Sequence, residues 1–249
     1  MRPLLIRTLL LLGLPACAGG PSSIAPFPAL QDLPAATTQL LLCTTAAWTE
    51  TAAVFQCLTR STSGWQKVGA PIAARVGGGG LGWGVGLHVD GDGPKKREGD
   101  GRAPAGVFTL GTAFGYAPSA PAGMQVPYRH ATERDYFVDA PDSAAYNQWR
   151  HIPEGQANDP KQRWQSSERM RRLDAQYELG MVVNHNMTPA MPGRGSAIFL
   201  HVWRGADKPT SGCTSMARED LLRVLTWLRA EAQPLLVQVP QSQLSQLRF

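Results

Sequence analysis

Within "FLHVWRGADKPTSGCTSMARED", residues 199–220, one of five histidines and one of four cysteines stand either side of a short polar loop. A cysteine becomes a nucleophile when a neighbouring base takes its proton, and a neutral imidazole can do this and later return the proton to a leaving amine. His201 ends the apolar run "SAIFLHV" at 196–202, which reads as a buried strand whose end carries the ring toward the loops. Cys213 lies two residues before Ser215, the expected cap of a helix, where free backbone N–H groups and the helix dipole would favour a thiolate and hold an oxyanion. Ser211 and Gly212 let the chain turn tightly beside the sulfur. The competing reading makes His201 a core histidine and Cys213 inert filler; His185 in "MVVNHN" is the next candidate base.

The remaining cysteines sharpen the choice. Cys43 and Cys57 flank a polar turn near Glu50 between two β-rich runs, so a symmetric hairpin would place them face to face as a disulfide, with two reduced core thiols as the alternative. Either way Cys213 has no partner, and an unpaired cysteine in an exported chain is a candidate reactive thiol.

Export is expected from the first 18 residues. Arg2 and Arg7 precede a leucine run too short to span a membrane, followed by small residues. Leu14-Pro15-Ala16-Cys17 resembles a lipoprotein box, which would attach the protein to a membrane through lipidated Cys17, while Ala16-Cys17-Ala18 fits ordinary cleavage. The destination is the periplasm or cell envelope. A formal net charge of +5 falls by two when both arginines leave with the signal. That mild excess suits an anionic wall polymer, and no basic cluster interleaved with aromatics supports nucleic-acid binding.

The chain divides into the signal (1–18), a Pro/Ser-rich leader (19–37) and one domain (38–249). Strands are expected at 39–46, 53–60, 65–76, 83–89 and 105–111, then at 181–186, 196–202 and 235–239. Leu221, Val224, Leu225 and Leu228 recur at helical spacing, with Glu219 and Asp220 in the first turns. Between them, 113–178 reads as an insertion shaping a cleft, with a helix over 165–178, "QSSERMRRLDAQYE", and a cleft wall including Tyr136, Tyr146, Asn147 and Trp149. The fold class is mainly β, a sandwich with peripheral helices and an inserted cap.

Two glycine-rich stretches imitate binding loops. Gly77, Gly79 and Gly82 meet a dinucleotide-binding spacing only because glycines are abundant there, and no helix follows. "DGDGPKKREGDG", 90–101, fails as a calcium loop because Lys95 takes the glycine position and Gly101 the glutamate position. No histidine or cysteine pair has zinc spacing, so neither metal nor cofactor is expected.

"HVWRGADKPTSGCTSM" resembles the active-site segment of the L,D-transpeptidase (YkuD-type) family: a His, a loop, then Ser/Thr-His-Gly-Cys, a hydrophobic residue and Arg or Asn. "KREGDGRAPAGVFTLG" at 96–111 is similar to the family's upstream strand, and with "YELGMVVNHN" the likeness runs through 38–240. It implies His201 as base, Thr210 as the Ser/Thr, Gly212 as the glycine and Cys213 as nucleophile. Ser211 replaces the second histidine and Ser215 the Arg or Asn, as in a divergent Ser-Gly-Cys branch. The resemblance implies an exported enzyme that makes a Cys213 thioester from peptidoglycan stem peptides, with Gly212 and Ser211 shaping the oxyanion loop. Arg204 is the candidate replacement for the missing cation, and His185 a second candidate contact to substrate. A carboxypeptidase or endopeptidase on the same site, or a wall-binding lipoprotein without turnover, are the alternatives. A thiol oxidoreductase has little support without a Cys-x-x-Cys pair.

Overall fold

The computed structural model describes residues 28–249; the signal, Cys17 and residues 19–27 of the leader lie outside the described residues. After a short helix α1 (Pro28–Gln31), strands β1 (Gln39–Thr45), β2 (Ala52–Ser61), β3 (Gly64–Arg75), β4 (Leu81–Trp83) and β5 (Ala103–Gly115) follow in order. A middle region holds β6 (Tyr128–His130), β7 (Asp135–Val138), β8 (Gln148–His151) and β9 (Glu168–Arg169). The chain closes with β10 (Leu179–Val183), β11 (Phe199–Val202), β12 (Thr214–Met216), α2 (Arg218–Trp227) and β13 (Leu235–Pro240).

The result is mainly β. Strands pair in the order β10-β11-β12-β3-β2-β1-β13-β5-β4, and β10 also pairs β5, so hydrogen bonding runs round eight strands in a ring. Apolar side chains drive this arrangement: Leu40, Leu41, Phe55, Leu58, Val107, Phe108, Leu236 and Val237 are buried in one core. Leu221, Val224 and Leu225 of α2 join the same core, as their spacing predicts.

Several expectations are corrected. The sequence 165–178 is not a helix; Glu168–Arg169 pairs with Tyr136 and Phe137 in a small sheet, β8-β7-β9, while Met170 and Tyr177 are buried in a second apolar cluster. Ser215 does not cap α2. Thr214–Met216 pairs in parallel with Leu200–Val202, the ladder continues to Met216, and Ala217 takes the cap position without a side-chain bond. The strand expected at 83–89 ends at Trp83, beyond which Gly84 and Leu87 each donate to single carbonyls of β5.

Cys43 and Cys57 are buried free thiols. The register sets Cys43 opposite Phe55 and Cys57 opposite Leu41, because the hairpin turns one residue earlier than a centre at Glu50. The two cysteines are thus diagonal neighbours, roughly 7–8 Å apart, beyond the usual reach of a disulfide. Burial pushes each thiol up to about 12.

The glycine run serves packing. A side chain at Gly80 would lie 2.0 Å from the Trp48 carbonyl oxygen, so only glycine lets these two backbone segments approach. The turn at 90–101 is tied by ion pairs Lys95–Asp90 at 2.9 Å and Lys96–Asp100 at 2.6 Å.

Candidate active site

β11 and β12 run parallel, with His201 in register with Ser215, and this pairing brings the loop 203–213 back beside the strand it leaves. Thr210 shapes the return. Its hydroxyl donates to the Cys213 carbonyl at 2.6 Å and accepts the Gly212 N–H at 3.1 Å. Gly212 has φ +151°, and an added Cβ would meet the Arg102 carbonyl oxygen at 3.1 Å, so glycine fits here for both conformation and space.

His201 and Cys213 line one cavity of about 270 Å³. Both are buried, at 4% and 8% exposure. His201 Nδ1 lies 2.8 Å from the Val202 carbonyl oxygen. A carbonyl only accepts, so Nδ1 carries the hydrogen and Nε2 keeps its lone pair. Burial lowers the His201 pKa to about 4, which leaves the ring neutral at pH 7. The Tyr177 ring holds it edge to face, centroids 5.3 Å apart.

The resting cysteine differs from the thiolate expected of it. Cys213 is followed by β12 and stands five residues ahead of α2, so no helix N-terminus faces the sulfur. Burial, reinforced by the charge of Glu168, pushes its pKa up to about 12. Sγ accepts the Phe199 N–H at 3.3 Å and donates weakly to the Ala197 carbonyl at 3.5 Å. Among the described residues no hydrogen bond joins Cys213 to His201. The pair is therefore a neutral thiol and a neutral imidazole facing one space.

Ala197 links this sulfur to the cap. It holds φ +52°, a conformation that costs energy for a residue with a Cβ, and its N–H donates to Asn147 Oδ1 at 3.1 Å. Asn147 Nδ2 donates in turn to the His185 and Asn186 carbonyls at 2.9 and 2.7 Å. Asn147 is thus a buried clamp, and Tyr136, Tyr146 and Trp149 likewise hold the cap instead of lining the cavity.

Of the other sequence-derived candidates, Ser211 is exposed at the cavity edge and Arg204 lines it while donating to the Pro209 carbonyl at 3.0 Å. Gly212 shapes the loop, but its N–H is engaged by Thr210. His185 is corrected from substrate contact and reserve base to a structural residue. It is 1% exposed and away from the cavity, its Nδ1 accepts the Val85 N–H at 3.1 Å, and its Nε2–H donates to the Arg194 carbonyl at 3.0 Å. Burial lowers its pKa to about 3.

The cavity also holds side chains that the sequence does not single out: Glu98, Asp139, Glu168, Arg172 and Tyr177. They come from separated segments joined by the cap sheet, so no local spacing announces them.

A buried imidazole of fixed tautomer and a cysteine on a clamped loop both lie within the matched region: the L,D-transpeptidase catalytic-domain profile covers residues 72–237. No match was found among curated proteins or among solved structures. The match spans His201, Cys213 and well over half the chain, and the chain belongs to the L,D-transpeptidase catalytic-domain family.

Proposed function

We propose that this member of a peptidoglycan-directed enzyme family acts through a Cys213 thioester formed from a stem peptide, with His201 as base and then acid. The observation that carries this reading is the shared cavity, in which His201 presents an unprotonated Nε2 because Nδ1–H is fixed on Val202. In the first half-reaction Sγ bonds to the peptide carbonyl carbon as its proton passes to Nε2. The C–N bond then breaks, and Nε2–H protonates the departing amine. An acceptor amine attacks the thioester in transpeptidation; water does so in the hydrolytic alternative. The Cys213 N–H, adjacent to the sulfur, is the donor suited to the oxyanion, since the Gly212 N–H is engaged.

Because the resting thiol is neutral, proton transfer accompanies attack instead of preceding it. The same buried thiol favours a second reading, a wall-binding protein without turnover. Purified peptidoglycan fragments analysed by mass spectrometry separate the two. New cross-links or loss of a D-residue, absent with Cys213→Ala, support the enzyme; unchanged fragments support the binder.

The proposed working place is the periplasm or cell envelope, reached through residues 1–18. Intact-mass analysis of protein from its native envelope should lack residues 1–16 or 1–18, and a lipid addition on Cys17 would establish anchoring.

A further inference from the structure

Asn147 stands outside the cavity yet reaches the sulfur in two steps. It lies immediately before β8 in the cap, buried, and its own N–H donates to the Val138 carbonyl at 2.7 Å. Its Oδ1 accepts the Ala197 N–H at 3.1 Å, and the Ala197 carbonyl in turn accepts the Cys213 S–H at 3.5 Å. Two residues further on, the Phe199 N–H donates to the same sulfur at 3.3 Å. Among the described residues, both hydrogen bonds of Cys213 Sγ therefore come from the segment 197–199.

We propose that Asn147 is a positioning residue for acylation: by fixing Ala197 it holds the backbone segment that aims Cys213 Sγ into the cavity shared with His201. The inference rests on the reading of Cys213 as the nucleophile.

Ala197 is the residue that needs fixing. At φ +52° its Cβ crowds the backbone, and a residue so placed persists only where its surroundings over-determine it. Few contacts do so here. The Ile198 carbonyl accepts the Val183 N–H at 2.9 Å, which secures the β11 side, while the Ala197 N–H relies on Asn147. Asn147 Nδ2 also donates to the His185 and Asn186 carbonyls, and Asn186 Nδ2 donates to those of Met191 and Gly195, so two buried asparagines tie down the loop that leads into Ala197. Without the Asn147 acceptor, Ala197 would relax toward φ below zero. That rotation would carry its carbonyl away from the sulfur and disturb the Phe199 N–H two residues later.

The two backbone partners serve successive stages of attack. The Ala197 carbonyl suits only the thiol, because an acceptor offers nothing to a sulfur anion, so the S–H must leave it for His201 Nε2 as attack begins. The Phe199 N–H suits the anion: burial raises the Cys213 thiol, and this donor works against the rise. Misplacing the sulfur by about 1 Å costs on the order of a hundredfold in rate. Asn147 does not line the cavity, so its loss should act on the rate and leave substrate binding alone.

The test is Asn147→Gly, which removes the side chain while keeping a residue that accepts the φ of +57° at this position. Thioester formation from the peptidoglycan stem tetrapeptide, followed by intact-protein mass spectrometry, gives the rate at saturation and the half-saturating concentration. The saturated rate should fall roughly a hundredfold while the half-saturating concentration stays within about twofold of wild type. Adding Ala197→Gly makes the left-handed conformation accessible without help and should recover roughly tenfold of the loss. A packing defect at 147 would not be mended by removing a further methyl group at 197. An unchanged saturated rate, a loss confined to half-saturation, or no recovery in the double variant would overturn the proposal. Where Asn147→Gly does not fold, Ala197→Val tests the same link from its other end: it keeps Asn147 but adds a β-branched side chain that avoids positive φ, so the saturated rate should again fall, and a wild-type rate would overturn the proposal. A wild type that forms no thioester sinks the enzyme reading itself, whereas a wild-type thioester with an unaffected rate in Asn147→Gly sinks this inference alone.

Discussion

Acid should weaken this fold through its buried histidines, and His185 gives the cleanest case. Its Nδ1 accepts a hydrogen bond from Val85 and its Nε2–H donates one to Arg194, at 1% exposure, so a second proton would displace a donor and place a charge in the core. The folded ring titrates at about 3, against an ordinary value of 6.5. The unfolded chain therefore takes up a proton that the folded chain refuses, and stability present above pH 6.5 is lost as pH falls toward 3. At about pH 5 the unfolded ring is almost fully protonated and the folded ring almost fully neutral, which costs about 2 kcal/mol relative to neutral pH. His201, lowered to about 4, adds a similar share over the same window. Urea unfolding at about pH 7.5 and about pH 5 measures the sum, and one share moves the midpoint by about 1 M for a typical urea slope. His185→Gln keeps an acceptor for Val85 and a donor for Arg194 but does not titrate. Its midpoint should fall less with pH than that of wild type, by the His185 share. An identical pH dependence in both proteins would refute the reasoning.

Iodoacetamide labelling of Cys213 should be slow at neutral pH and rise about tenfold per pH unit into the alkaline range, because burial holds the thiol protonated; an inflection below pH 7 would contradict the neutral pair. Thr210→Val removes both hydroxyl bonds that set the loop before Cys213 and should cost about 1–3 kcal/mol in urea unfolding, with a lower rate of the proposed acylation; unchanged values would show that the loop holds without them. Non-reducing peptide mapping should find Cys43, Cys57 and Cys213 all as thiols, and a 43–57 bridge would overturn the register that sets Cys43 opposite Phe55.

The elements legible in the sequence are those whose own side chains decide them. The apolar runs of β1, β11 and β13 and the spacing of Leu221, Val224 and Leu225 report burial directly. The helix expected over 165–178 rests on residues with good helical propensity, which pairing of Glu168–Arg169 with β7 and burial of Met170 and Tyr177 override. Ser215 suits a helix cap in isolation, yet the longer-range ladder with His201 claims it. The pairing of His201 with Cys213 is visible because both residues lie on one short segment. Its electrostatic setting is not. Glu98, Asp139 and Glu168 meet only through the cap, and the depth that raises the Cys213 thiol comes from tertiary packing. His185, amid polar neighbours in "MVVNHN", looks available in the sequence and proves to be enclosed by backbone partners.

The proposed chemistry turns on covalent acyl transfer to one sulfur. Intact-protein mass spectrometry of wild type incubated with the stem tetrapeptide, sampled at short times, reads that step directly. The expected result is a mass gain equal to the peptide minus its terminal D-alanine, mapped to Cys213, absent in Cys213→Ala, and formed roughly a hundredfold or more slowly in His201→Ala. No adduct under turnover conditions, or an adduct on a residue other than Cys213, would contradict it.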